Sequence, residues 1–347
     1  MIHLRIVAPE DIALKALELL YASPSVLNVI HLRGAAEKPR GDVILCDVAR
    51  EQASVIISDL KELDVAEKGT IAVEHLDSAI SAAFDAAEAA APGLPSDAVV
   101  WEEVESRTSE NTELSVSFVA FMVAAMQIAA AGIVLDQPIL IVGAMVVGPE
   151  FGPLAGISVA LVNRQAKLAR RSLLALAVGF PIGTAAAFLT TLAFIGTDVF
   201  PDVFVQSQHP LTRFISEPPD FLTFFVAFVA GTAGVLSLTS AKSGALVGVL
   251  ISVTTIPAAS NIGVAAAYGD WSEAGWAAAQ LAANLTAIVA AGVITLFIQR
   301  RYYVSRRRRH LLDPARSAAG LPIGRSMRGT KKAPADWRES RESRTRG

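Results

Sequence analysis

Glu150 is the residue whose type and position could do chemistry. It stands near the centre of PILIVGAMVVGPEFGPLAGISVALV (138–162), an apolar run long enough to cross a bilayer. A charge at that depth costs roughly 2.5–3.5 kcal/mol on insertion scales. The carboxyl must therefore face a bundle interior, be protonated, or be paired. No Lys or Arg stands at matching depth in the other apolar runs, so proton exchange or a bound cation is expected rather than a salt bridge. The same run holds four glycines and three prolines. Pro149 and Pro153 each remove a backbone donor and crowd the preceding turn, which opens the helix over Gly148, Pro149, Glu150, Gly152 and Pro153. Opened backbone is tolerated in hydrocarbon only inside protein or beside water. The segment is thus the buried heart of a membrane protein.

A second interrupted run, GALVGVLISVTTIPAASNIGVAAAY (244–268), carries Thr254, Thr255, Pro257, Ser260, Asn261 and Gly263. Gln127, Gln280 and Asn284 add polar side chains at middle depth in other runs. Together with Glu150 these residues can line a cavity in which half-helix ends offer amides or carbonyls to an ion. The plainer reading is that the amides bond across helices and Glu150 sits in a water pocket of the break. No Ser/His pair, HExxH or paired aspartates occur in the runs, so no enzymatic constellation is expected. A single cysteine, Cys46, excludes an internal disulfide and a multi-cysteine metal site; neither metal nor cofactor is expected.

Six apolar runs position these residues: about 115–135, 138–162, 172–196, 221–240, 244–268 and 276–298. Arg164, Lys167, Arg170, Arg171, Lys242 and Arg300 flank one set of ends. Asp136, Asp198, Asp202, Glu217, Asp220, Asp270 and Glu273 flank the other, with only Arg213 positive there. The positive-inside rule then puts both termini in the cytoplasm of a multi-pass plasma-membrane protein. Breaks in the second and fifth spans suit two units of three spans in inverted orientation, with a midplane site between them.

Around this core the charge is lopsided. Residues 1–116 hold 9 Lys and Arg against 21 Asp and Glu, and residues 299–347 hold 15 against 4. The start of the chain lacks the basic end and apolar core of a signal peptide. Residues 1–77 read β-α-β-β-α-β, a small α+β ferredoxin-like domain in the cytoplasm, suited to ligand sensing or assembly. His3, His31 and His75 are scattered over three strands and read as structural. Residues 78–113 read as an acidic helical linker in which Trp101 either anchors at the headgroups or packs against the first domain. Residues 299–347, rich in Arg, Ser, Gly and Pro, read as a disordered tail. Its Arg306, Arg307, Arg308 and Arg309 are expected to contact anionic lipid; docking on the acidic first domain, broken by mild salt, is the weaker expectation. No aromatic platform accompanies these arginines, so nucleic acid is not an expected partner.

The two interrupted runs resemble the bacterial hydrophobic-domain proteins catalogued as domain of unknown function 389. The resemblance rests on Gly143-Ala144-Met145 through Pro149 to Gly152-Pro153, on Gly248-Val249 through Ile251 to Pro257, and on Asn284. It covers about 115–298. That family is similar to Ser-Pro-Leu-Met-Gly-Pro at the first break, where this chain has Gly148-Pro149-Glu150-Phe151-Gly152-Pro153. The carboxylate is therefore not implied by the resemblance, and no activity is implied either.

The whole reads as a polytopic α-helical membrane protein, not an enzyme, working as a transporter or channel for a small solute or ion. A membrane-anchored sensor or scaffold without transport is the alternative. One observation separates them: a water-accessible path to Glu150 keeps the first, and breaks packed dry with Glu150 capped by neighbours sink it. The expected partners are the lipid bilayer, the solute or ion, and further copies of the chain in a homo-oligomer.

Overall fold

The computed structural model describes residues 1–76, 81–91, 98–197, 199–202, 215, 218–240 and 255–326. It divides into one unit of Met1–Val100 with Arg301–Gly347 and a second of Trp101–Arg300.

In the first unit, β1 (Ile2–Ala8), α1 (Glu10–Ala22), β2 (Val26–Glu37), β3 (Arg40–Val48), α2 (Arg50–Glu62), α3 (Val65–Lys68) and β4 (Thr70–His75) follow one another. The sheet runs β2-β3-β1-β4 with every neighbour antiparallel, so each βαβ crossover straddles a strand of the other. Period-2 alternation explains the core: Ile2, Leu4 and Ile6 of β1 meet Ile44, Cys46 and Val48 of β3 beneath Ile12, Ala16 and Leu20 of α1 and Ile56 and Leu60 of α2. The stretch 34–41 continues the hairpin, with register shifts, to a turn at Lys38-Pro39. The histidines are structural in the described geometry. His3 bonds Asp47 and His31 bonds Asp42, both at 2.7 Å, and His75 accepts from Arg50. Burial pushes the Cys46 thiol up to about 12, with the charge of Asp47 adding to it. Cys46 should therefore resist a thiol reagent near pH 8 in the native protein and react only on unfolding, as a colorimetric thiol titration would show.

The basic end of the chain departs from expectation. Composition argued for a disordered tail from residue 299, but α12 (Trp271–His310) carries its helix through the arginine cluster and is followed by the short α13 (Ala315–Ala318). Residues 327–347 lie outside the described residues. The cause is a partner within the same unit. One face of α2 presents the carbonyls of Glu51 and Val55 and the carboxylates of Asp59 and Glu62. Arg306 donates to the Glu51 carbonyl at 2.7 Å and Arg307 to that of Val55 at 3.2 Å. Asp59 also pairs with Arg307 at 2.5 Å, with His310 at 2.8 Å and with Arg316; Glu62 pairs with Arg307 at 2.8 Å and Arg316 at 2.9 Å. Arg306 and Arg307, expected on lipid, are thus engaged by protein, while Arg308 and Arg309 remain exposed.

These pairings set opposite pH dependences. Burial alone would raise the Asp59 carboxyl, but the His310 bond and the charges of Arg307 and Arg316 hold it below the usual carboxylate range. A lowered folded value means stability present above the ordinary carboxylate range and lost as pH falls through the folded value. Glu51 has the opposite sign: burial raises it, the charge of Glu88 adds, and Arg306 offsets part. Its contribution is present below the ordinary value and lost as pH rises through the raised one. Glu51→Gln should therefore remove the loss on the neutral side and leave the acid limb intact, read as denaturation midpoints across pH.

The second unit begins with α5 (Trp101–Glu110), after α4 (Ala82–Ala90) of the first. Trp101, Val104 and Thr108 form the buried side of α5. Its Glu105 accepts from Asn163 at 3.2 Å and from Gln165. Then come α6 (Val116–Val134), α7 (Pro138–Val147), α8 (Phe151–Asn163), α9 (Ala166–Phe194), α10 (Phe221–Thr239), α11 (Ile256–Ala267) and most of α12. Ser115 caps α6 by accepting from Phe118 N–H at 3.0 Å, and Asp220 caps α10 by accepting from Thr223 N–H at 2.7 Å. Lys167, Arg170 and Arg171 lie in the first turns of α9 rather than in a loop.

Among the described residues four helices, α6, α9, α10 and α12, are long and apolar enough to cross a membrane, and the bent pair α7–α8 gives a fifth if it is counted as one span. Of the expected fifth span only α11 is described; residues 241–254, with Lys242 and Thr254, lie outside the described residues, as do Asp198, Arg213 and Glu217. Several apolar helices beside a small antiparallel sheet give the architecture of a membrane protein.

Candidate functional site: the break at Glu150

α7 ends at Val147 and α8 starts at Phe151, and their axes bend by 52° across the three residues between. The sequence dictates this stop. Pro149 cannot donate to α7, whereas Pro153 falls in the first turn of α8, where the missing N–H has no intrahelical acceptor to lose. Glu150 takes the N-cap position of α8. On the facing segment Thr255 takes the N-cap position of α11, and Pro257 its first turn.

The two caps meet. Thr255 Oγ1 donates to Glu150 Oε1 at 2.8 Å, joining residues 105 apart in sequence, and both side chains are fully buried. Two helix N-termini, whose first-turn amides attract negative charge, thereby converge on one carboxylate. Gly148 makes the approach feasible, since a Cβ there would strike Glu150 Oε2 and Ile256. Thr255→Val keeps the shape and removes the donor. It should shift the Glu150 carboxyl band in infrared difference spectra taken against Glu150→Gln; an unmoved band would mean the bond is not made in the bilayer.

The other sequence-derived candidates divide around this pair. Ser260 donates to the Met126 carbonyl of α6 at 2.7 Å, and Thr184 of α9 donates to the Ala259 carbonyl at 3.1 Å, so α11 is pinned on two sides. Asn261 points elsewhere, donating to Glu273 at 3.1 Å. Gln127 accepts from Thr190 at 3.0 Å and acts as a tie between α6 and α9. Asn284 is fully buried on α12. Gly152 serves packing rather than chemistry: a Cβ there would run into the backbone of Asn111. Thr254 lies outside the described residues. Glu273 is the residue that sequence reasoning placed in a loop; its signal was the spacing to Gln280 and Asn284, positions i+7 and i+11 of one helical face.

With this geometry in view, the chain can be set beside known proteins. Residues 145–290 match the family described as Domain of unknown function (DUF389). The resemblance read from the two interrupted runs holds over that stretch, which begins inside α7 and takes in the break at Glu150, the run 244–268 and Asn284. An uncharacterized protein of the archaeon Methanocaldococcus jannaschii is 26% identical over 196 residues, covering 55% of this chain. The chain spans 58% of that relative's length. No solved structure matches the chain. The DUF389 match and the apolar helices together support a membrane protein.

Proposed function

We propose that the helical bundle moves a small solute or ion through a site between the two breaks, with Glu150 as its proton- or cation-exchanging acid. The observation behind this reading is the buried bond from Thr255, at the start of α11, to Glu150 in the break between α7 and α8. Discontinuous helices that meet inside a bundle offer helix ends to a substrate while keeping opened backbone away from lipid. An inverted pair of three-span units accounts for breaks arising in corresponding places, and the charge bias of the loops puts both termini in the cytoplasm. The small α+β unit then regulates the bundle or drives its assembly into a homo-oligomer. No catalytic role is assigned.

By the criterion of a dry, capped acid, the complete burial of Glu150 beneath Thr255 counts toward the second reading, a sensor or scaffold whose bundle carries no solute; transport survives only if this sealed arrangement is one state of a cycle. A sealed carboxylate is what an occluded intermediate of alternating access and a static core have in common. Liposomes loaded with a pH-sensitive dye separate the two across a panel of ions and small metabolites. The transport reading expects flux in the wild type and at least a tenfold loss in a folded Glu150→Gln variant, the loss of one transition-dependent contact of about 1.4 kcal/mol or more. Equal fluxes remove Glu150 from the mechanism. A wild-type protein inert to the whole panel leaves the scaffold.

A further inference from the structure

We propose, building on the transport reading above, that Glu273 and Asn261 form the mouth of a route between α11 and α12 leading to Glu150, and that this route takes protons or a small monovalent cation.

The mouth is a built contact. Asn261 is fully buried, yet its Nδ2 donates to Glu273 Oε1 at 3.1 Å, and Glu273 is half-buried in the first turn of α12. From there α12 carries polarity inward on one face. Gln280 and Asn284 follow Glu273 two and three turns on, and both are more than nine-tenths buried. The buried positions interleaved with them include Ala274, Ala277, Ala287 and Ala291, whose single methyl groups leave space beside the amides.

The inner end leads toward the break. Ser158 of α8 reaches the Val289 carbonyl at 3.5 Å, and a Cβ on Gly292 would strike the same serine. Farther along both helices, Arg300 donates to the Val162 carbonyl. These contacts run in the same sense along α8 and α12. Followed back from Ser158, α8 reaches Glu150 in about two turns; followed back from the 289–292 turn, α12 reaches Asn284 in about one and a half to two turns. Both helices therefore lead from this contact toward the break and the inner amides.

Chemistry selects the passenger. The route has a carboxylate at each end and neutral amides between them, and α12 holds no Lys or Arg before Arg300. An anion would be repelled at both ends. Carboxylate and amide oxygens are hard ligands that suit protons and hard cations rather than soft transition metals. Interhelical hydrogen bonding alone would use the same amides, but it would leave the face closed to water and indifferent to the charge on Glu273.

The test uses the full-length protein in liposomes with Cys46→Ser and Gln280→Cys, treated from either face with membrane-impermeant methanethiosulfonates, one cationic and one anionic. The expected result is modification from the face that bears the 268–271 turn, at least about tenfold faster for the cationic reagent, as a charged cleft focuses counter-ions. Adding Glu273→Gln should bring the two rates together. Ala277→Cys, one turn away on the same face, replaces Gln280→Cys should the latter fail to fold. An inert thiol from both faces, equal rates for the two reagents, or a ratio untouched by Glu273→Gln overturns the route. If the thiol is inert while Glu150→Gln still abolishes flux, only the route falls. A selective, Glu273-dependent thiol beside an unaltered Glu150→Gln flux supports the route and sinks Glu150 as the transport acid.

Discussion

Replacing Arg316 by methionine should release the C-terminal segment from α2 and destabilise the first unit by about 3 kcal/mol. Arg316 is fully buried against Asp59 and Glu62, two carboxylates with no exposed side-chain surface. Removing one member of a buried charge network leaves the others desolvated and only partly compensated, a loss of about 3–5 kcal/mol for an isolated pair. The lower end applies because Arg307 still reaches both carboxylates and His310 still reaches Asp59. Hydrogen exchange should show amides of α2 and of residues 311–326 opening about a hundredfold more often. Arg308→Met is the matched control: exposed and outside the described network, it should stay within about 0.5 kcal/mol of wild type. The protection should also survive salt of about 0.5 M, because buried pairs are screened far less than exposed ones. Protection lost in salt, or equal behaviour of the two variants, would return the arginines to the lipid.

Two glycines of one broken span should give opposite results when changed to alanine. At Gly152 the added methyl meets the carbonyl oxygen and carbon of Asn111, which are backbone atoms. The helix or the loop before α6 must shift, at a cost of about 1–3 kcal/mol or more for overpacking. At Gly143, inside α7, nothing lies within 4 Å of the new methyl. There the substitution gains helix propensity of about 0.5–1 kcal/mol. Thermal unfolding in detergent should therefore fall for Gly152→Ala and hold or rise for Gly143→Ala. A tolerant Gly152 would mean that the loop at Asn111 does not pack on α8 in the bilayer.

The discontinuous first unit alters a natural deletion experiment. Removing residues 1–77 alone would strip Arg307, His310 and Arg316 of the acids they pair with. The regulatory role proposed for the first unit is better probed with Arg316→Met, which loosens the segment without orphaning the whole cluster.

Some of this was legible in one dimension. Apolar runs give α6 and α10 to within about one residue, and alternation gives the strand and helix order of the first unit though not the extension of its hairpin over 34–41, because hydrophobic pattern acts locally. Pro149 and Pro153 announce the break between α7 and α8 for the same reason: a missing N–H is a local fact. Glu150 as a buried acid follows from the insertion cost of a charge and from no structure at all.

Other features needed the folded chain. Composition describes residues 301–326 as solvated and disordered, since the segment is rich in Arg and has no apolar periodicity; its order comes from Asp59 and Glu62, about 250 residues earlier, and from burial of Ala315, Ala319 and Leu321 in the first unit. The bond from Thr255 to Glu150 is equally non-local. The sequence marks two interruptions but carries no distance between them. Asn261 read as a neighbour of Thr255, and only the turn into α12 directs it toward Glu273. The sequence by itself thus determined that an apolar bundle must bury a carboxylate at a helix break, because solvation energies and proline geometry act residue by residue. Which hydroxyl caps that carboxylate, and which arginines the first unit consumes, were decided by tertiary packing, because charge partners are chosen in space and not along the chain.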